Sequence, residues 1–177
     1  MKHLLAIEDL NASEIHRLID DAAVLKRDRG AGAATPLAGE SWAMIFNKSS
    51  TRTRISFEVG LGELGARVLF LNPNDIQLGR GEPLKDTARV LGRMVHGVII
   101  RTYAQQDVVD LAHYAGIPII NALTDEEHPC QILADLLTIR ELLGTWDGKK
   151  IVFLGDGDCN MGRSWAWAAK RLGFELV

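Results

Sequence analysis

The chain has 177 residues, 47% of them hydrophobic and 24% charged, a globular composition with room for one full domain and part of another. A net charge of −3 and an aromatic content of 6% exclude a general nucleic-acid binder, which needs a basic surface or stacking platforms. Two cysteines without CxxC spacing exclude a disulfide framework, and the N-terminus lacks the apolar core of a secretory signal, so a reduced cytoplasmic setting is expected. No apolar run approaches the roughly 20 residues that span a bilayer, so no membrane association is expected.

Ile15, Leu18, Ile19, Ala22 and Leu25 share one face of a predicted helix over Asn11–Lys26, and Asn11 with Glu14 has capping-box spacing. A small-residue loop over Arg29–Gly39 follows. Trp42–Phe46 reads as a buried strand, Arg52–Leu64 as a helix closed by Gly65, and Arg67–Leu71 as a second strand. A polar loop, Asn72–Pro83, leads to a helix over Lys85–Met94. Then come a strand at Gly97–Arg101, a helix at Asp107–Ala115, a strand at Ile117–Asn121, and a long helix over Pro129–Leu143 with proline at its favoured first position. The alternation predicts an α/β fold with a mostly parallel sheet flanked by helices on both faces.

Gly144-Thr145-Trp146-Asp147-Gly148 reads as a hinge or inter-domain turn. Beyond it a strand at Lys150–Leu154, a Gly-rich turn, a helix at Met161–Leu172 and a strand from Phe174 begin a second βαβ unit. The division expected is a first domain over residues 1–144 and an incomplete second α/β domain over 145–177.

Five places carry candidate chemistry. At the first strand's end, Ser50, Thr51, Arg52, Thr53 and Arg54 combine hydroxyls, guanidinium forks and the free N–H groups of a helix start, which together suit a phosphate. An ordinary N-cap with surface arginines competes with that reading. His128-Pro129-Cys130-Gln131 opens the long helix after another strand, at the same carboxyl edge of a parallel sheet. There a histidine can donate to a carbonyl oxygen as it gains charge, or simply cap the helix. Arg101 closes a third strand, pointing into the cleft at that edge or snorkelling to solvent, and the convergence weighs more than any member. The loop Gln77–Glu82 suits ligand or subunit contacts, or is a solvated loop. Finally, Gly155-Asp156-Gly157-Asp158-Cys159-Asn160 approaches a dinucleotide fingerprint, but Asn160 stands at the third glycine and Glu175 lies inside a strand. No clustered Cys/His set or HExxH is present, so no metal is expected. Cys130, beside His128, reads as a packing residue rather than a nucleophile.

Together these segments resemble the transcarbamoylase family. Ser50-Thr51-Arg52-Thr53-Arg54 matches its S-T-R-T-R carbamoyl-phosphate loop. His128-Pro129-Cys130-Gln131, continued by Ile132 to Thr138, and Lys85 to Leu91 match the ornithine branch; the aspartate branch typically has Thr at Cys130. The resemblance implies that Ser50, Thr51, Arg52 and Thr53 hold the phosphate. It implies that Thr53, Arg101 and His128 polarise the carbonyl and that Gln131 holds the amide, with Arg101, His128 and Gln131 catalytic. Gln77 matches a position reaching into a neighbouring subunit's site, which implies a homotrimer with shared sites. Asn160 matches an ornithine contact, whereas Cys159 stands where the family commonly has Asn. The implied reaction moves a carbamoyl group from carbamoyl phosphate to the δ-amine of L-ornithine, giving citrulline and phosphate in arginine metabolism, with no cofactor. The family's remaining ornithine groups would lie beyond Val177. Carbamoyl-phosphate binding is therefore what these residues should do by themselves. The alternatives are a non-catalytic carbamoyl-phosphate-binding or assembly module, a carbamoyltransferase for another amine, and a nucleotide-binding domain built on Gly155 and Gly157.

Overall fold

The computed structural model describes residues 3–30, 32–72 and 83–177. Buried alternation along Ser41–Phe46 (β1) sets the architecture. Ala43 and Ile45 face one side of the sheet, and Trp42, Met44 and Phe46 face the other. β1 pairs in parallel with Arg67–Leu71 (β2) on one edge and with Gly97–Arg101 (β3) on the other. β3 in turn pairs with Ile119–Leu123 (β4), giving the order β2-β1-β3-β4. Leu4 extends the sheet beyond β4, donating to the Ile119 carbonyl at 2.9 Å and accepting from the Asn121 N–H at 2.8 Å.

Helices cover both faces, as the alternation requires. Ala88 and Leu91 of Leu84–Met94 (α3, numbered in chain order) and Val108, Leu111 and Ala115 of Gln105–Ala115 (α4) pack on Ala43, Ile45, Val98 and Ile100. Leu61 of Thr51–Glu63 (α2) packs on the opposite face with Trp42, Met44 and Phe46. A third cluster joins Ile15 and Ile19 of Ala12–Arg27 (α1), Ile132 and Leu136 of Pro129–Leu143 (α5), and Trp165 and Ala168 of Asn160–Leu172 (α6).

The local signals were mostly sound. Asn11 accepts from the Glu14 N–H at 3.0 Å while the Glu14 carboxylate accepts from the Asn11 N–H at 2.9 Å, a complete capping box. Gly65 takes a φ of 93° just past α2, and the Ala66 N–H reaches back to the Leu61 carbonyl at 2.9 Å.

Three expectations need correction. The last strand of the large sheet lies two residues later than predicted, at Ile119–Leu123, because the bonds to Leu4 and to Val98 set its register. The Lys150–Leu154 strand is only Lys150–Ile151 (β5), paired with Glu175–Leu176 (β6), and Leu154 stands 90% exposed. A two-strand ladder gives these apolar residues no second face to bury. Finally, the Gly144–Gly148 turn is not a bare hinge. Trp146 is 2% exposed, sits in the third cluster and stacks on His16 at 5.1 Å between ring centroids. Among the described residues no helix is long and apolar enough to cross a membrane.

Candidate functional site

The strand order places a topological switch between β1 and β3. The chain leaves β1 toward β2 on one side, and β3 and β4 lie on the other. A crevice outside the carboxyl ends of such neighbours is where open α/β sheets hold ligands. Phe46 is the register partner of Arg101, and the Asn47 N–H donates to the Arg101 carbonyl at 2.8 Å. The Ser50–Arg54 turn and Arg101 thus leave adjacent strands at the same level. Beneath them the Asn47 amide donates to the Thr102 hydroxyl at 3.0 Å, and that hydroxyl donates to Asp107 at 2.9 Å. Thr102 is 1% exposed, so this relay fixes the floor.

Ser50 is the N-cap of α2, and its Oγ accepts from the Thr53 N–H at 3.3 Å. The capping reading and the anion reading are compatible. The cap consumes one backbone donor and leaves the N–H groups of Thr51 and Arg52, with the positive end of the helix, turned outward. Arg52 is exposed and pairs with no carboxylate among the described residues. Arg54 lies over the Phe70 ring at 3.6 Å and reaches Glu58 at 3.5 Å. Ser49, Ser50, Thr51 and Arg54 line an open cleft of about 620 Å³ together with Phe46, Phe70 and Asn72.

Arg101 and His128 carry the electrostatic signature. The Arg101 Nε is buried without a hydrogen-bond partner, and desolvation lowers the guanidinium pKa. His128 Nδ1 is likewise buried and unpartnered. Burial first, and the Arg101 charge second, push the imidazole down to about 4, so near neutral pH it is uncharged. Native proteins rarely leave such groups unsatisfied, and the two at one sheet edge mark it as a candidate site. A basic group with a depressed folded-state pKa is protonated first in the unfolded chain. Its contribution to stability is therefore present above about pH 6.5 and is withdrawn as pH falls toward about 4. Glu127 and Asp135, both raised by desolvation, act in the opposite sense. Subtracting the His128→Gln stability curve from the wild-type curve isolates the histidine. The difference should shrink by on the order of 1–3 kcal/mol across that window, measured by urea unfolding at each pH.

The other sequence-predicted residues have different partners. Gln131 is exposed and its amide donates to Asp135, one turn along α5, at 2.9 Å. The Asn160 amide donates to the Thr124 carbonyl at 2.7 Å, which fixes its flip and leaves its own oxygen as an acceptor. Gln77 lies outside the described residues, as does most of the loop around it. Cys130 gives its thiol to the Asn121 carbonyl at 3.4 Å, and desolvation pushes its pKa up to about 12, which leaves no thiolate nucleophile.

Two groups escaped the sequence reading. Lys48 forms an ion pair with Asp125 and sits 4.5 Å from the Tyr103 ring centroid, tying the phosphate-type turn to the loop that carries His128. Its adjacency to Ser49 and Ser50 was the available signal. Ser164, buried in α6, touches the same loop from the other side; no local pattern distinguishes it from a packing serine.

The alternative turn at Gly155 is built differently from a dinucleotide fingerprint. Its strand ends at Ile151, and Glu175 pairs with Lys150 at 2.9 Å. The close approach is made by Gly162, where a Cβ would meet the Gly157 carbonyl oxygen at 2.5 Å. A second, roomier cleft, about 1240 Å³, lies between α1, α2 and the loop joining α1 to β1. Val24, Leu25, Ile55 and Val59 line it, and its Arg29 and Glu63 pair with each other at 2.7 Å, so it gathers no free polar groups comparable to those of the sheet edge.

Comparison with known proteins identifies the family. Residues 2–141 match the model of the aspartate/ornithine carbamoyltransferase carbamoyl-P binding domain. The whole chain is 64% identical to an ornithine carbamoyltransferase of Akkermansia muciniphila, of which it covers 59%. It is 52% identical to the one from Methanocorpusculum labreanum over 99% of its own length and 58% of that protein. Among solved structures, the ornithine carbamoyltransferase from Pyrococcus furiosus superposes with a TM-score of 0.94 at 46% identity, covering 99% of this chain and 56% of that one. The enzyme from Burkholderia thailandensis gives 0.94 at 41% identity, with 99% and 61% covered. The chain thus spans less than two thirds of the relatives it matches. With that domain matched over residues 2–141 and this similarity along its whole length, the chain belongs to the aspartate/ornithine carbamoyltransferase family.

Proposed function

We propose that the crevice at the β1–β3 switch point binds carbamoyl phosphate, and that the protein transfers the carbamoyl group to the δ-amine of L-ornithine to give L-citrulline and phosphate. The observation that carries this reading is the pair of buried, unpartnered nitrogens, Arg101 Nε and His128 Nδ1, at the sheet edge that also carries the open first turn of α2. A phosphate is an anion with oxygens on every side, which suits helix N–H groups, the hydroxyls of Ser50, Thr51 and Thr53, and the Arg52 fork. The carbamoyl carbonyl is a weaker acceptor in the ground state. It becomes a strong one when the amine adds to its carbon. Arg101 and His128 are set to meet that oxygen, and Thr53 and Gln131 complete the grip on the carbonyl and amide.

In the reaction the neutral δ-amine attacks the carbonyl carbon. The C–N bond forms, the oxyanion gathers charge, and the C–O bond to phosphate breaks as the amine passes its proton to the departing phosphate. Neutral His128 can donate one hydrogen bond without bringing a second full charge beside Arg101. Oriented donors at an oxyanion are worth roughly 3–4 kcal/mol each in such reactions. Asn160, with its oxygen free to accept, suits the α-ammonium end of ornithine. A functional division into a carbamoyl-phosphate domain over residues 1–144 and the start of an ornithine domain over 145–177, a homotrimer to which Gln77 contributes across subunits, and a cytoplasmic role in arginine synthesis complete the reading. The test is calorimetric titration with carbamoyl phosphate. Arg52→Ala should weaken binding by about tenfold to a hundredfold, the worth of one charged hydrogen-bonding group, with no loss of thermal stability because the side chain is exposed. Equal affinity in the variant would remove Arg52 from the site.

A further inference from the structure

His128 is the N-cap of α5, yet its side chain makes no capping bond, so its position must be secured elsewhere. Its peptide N–H donates to the Ser164 hydroxyl at 3.0 Å. That hydroxyl has a single proton and gives it to the Glu127 carboxylate at 2.6 Å. A backbone N–H can only donate, so the direction of the relay is fixed: His128 N–H to Ser164 Oγ–H to Glu127 Oε2. Ser164 is wholly buried and Glu127 is 3% exposed, so water cannot replace either partner.

The contact is one of a set. Asn160 donates to the Thr124 carbonyl at 2.7 Å, and Arg163 pairs with Glu126 at 2.8 Å. Asn160, Arg163 and Ser164 stand at i, i+3 and i+4, one face of α6, and each grips a different residue of the loop that ends in His128. From its own side the loop is held by the Thr124 hydroxyl, which accepts the N–H groups of Glu126 at 3.3 Å and Glu127 at 3.0 Å.

We propose that Ser164 is a positioning residue for His128: anchored by Glu127, it holds the histidine at the sheet edge from a helix outside the parallel sheet. This rests on the reading of His128 as a carbamoyl-phosphate ligand. Ser164→Ala leaves the His128 N–H without its acceptor and takes one donor from the Glu127 carboxylate, which keeps the Ile7 N–H, and Glu127→Ala frees the same hydroxyl from the other end. The effect reaches the ligand only through His128, which is what separates positioning from general destabilisation.

The experiment is a double-mutant cycle on carbamoyl-phosphate affinity, read by calorimetry on the full chain. Ser164→Ala and Glu127→Ala should each weaken binding about tenfold, the cost of one lost buried hydrogen bond, while Ser164→Thr, which keeps the hydroxyl, restores most of it. In a His128→Ala background Ser164→Ala should cost nothing more. Equal affinity for Ser164→Ala, or a full additional loss on top of His128→Ala, overturns the proposal. Hydrogen exchange of the His128 amide, followed by NMR without ligand, supplies an independent reading. It should be protected in the wild type and released in whichever of the two alanine variants folds, and unchanged protection overturns the proposal. If wild type binds no carbamoyl phosphate, the functional reading fails, and the exchange measurement still decides whether Ser164 holds His128.

Discussion

An Arg101→Met chain binds carbamoyl phosphate at least about a hundredfold more weakly than the wild type, yet unfolds at the same temperature or higher. The two halves of this expectation come from the same atoms. Arg101 ends β3 with its Nε buried and unpartnered, and desolvation already lowers its pKa. In the folded chain this is a cost, since a charged donor has been drawn from water without a protein acceptor. Replacing it with an apolar chain of similar length removes the cost. In the complex the situation reverses: a ligand oxygen meets a donor that needs no reorganisation, and deleting one partner of a desolvated charged contact costs roughly 2–5 kcal/mol. Calorimetry gives the first number and thermal unfolding the second. A further readout links the two residues. The Arg101 charge helps hold the His128 pKa near 4, so in the variant that pKa rises, which an NMR titration of the imidazole reads directly. A variant that loses stability in parallel with affinity would make Arg101 a structural residue.

Gly92→Ala produces the largest expected loss of stability, about 3 kcal/mol or more. Gly92 sits in α3 where α4 ends. A Cβ there would lie 1.9 Å from the Ala115 carbonyl oxygen and 2.9 Å from its carbonyl carbon. The obstructing atoms are backbone, so no side-chain rotation relieves the contact and the two helices must separate. That prises open the cluster of Ala88, Leu91, Val108 and Leu111. Overpacking a native core usually costs 1–3 kcal/mol, and a backbone obstruction belongs at or above the top of that range. For a chain of this size the melting temperature should fall by about 6–12 °C. Gly62→Ala is the matched control, because its Cβ would meet nothing within 4 Å in α2. It should gain a few tenths to about 1 kcal/mol from helix propensity. If both substitutions behave alike, the close packing of α3 on α4 is not what Gly92 provides.

The sequence made these elements legible wherever the signal is local. The capping box at Asn11 and Glu14, the N-cap at Ser50 and the glycine after α2 are short-range chemistry and lie where their spacing puts them. The parallel sheet followed from alternation, and with it the convergence of Arg101 and the Ser50 turn on one edge, since parallel strands all end on the same side. Long-range choices were hidden. Glycines around Trp146 read as a hinge, but the indole's partners are α1 and α5, more than a hundred residues away for α1. The two-residue shift of β4 depends on Leu4 at the far end of the chain. Side-chain direction was the least legible of all. Nothing in His128-Pro129-Cys130-Gln131 says that Gln131 turns along its helix to Asp135 while His128 is held from behind by Ser164.

The β1–β3 switch point is the proposed seat of carbamoyl phosphate. Calorimetric titration of the wild-type chain, beside the Arg101→Met chain and with NAD as a control ligand, tests it most directly. The claim predicts saturable binding of carbamoyl phosphate, competition by inorganic phosphate, loss of binding in the variant, and no heat with NAD. Saturable NAD binding with none for carbamoyl phosphate, or carbamoyl-phosphate binding that survives the loss of Arg101 unchanged, would contradict it.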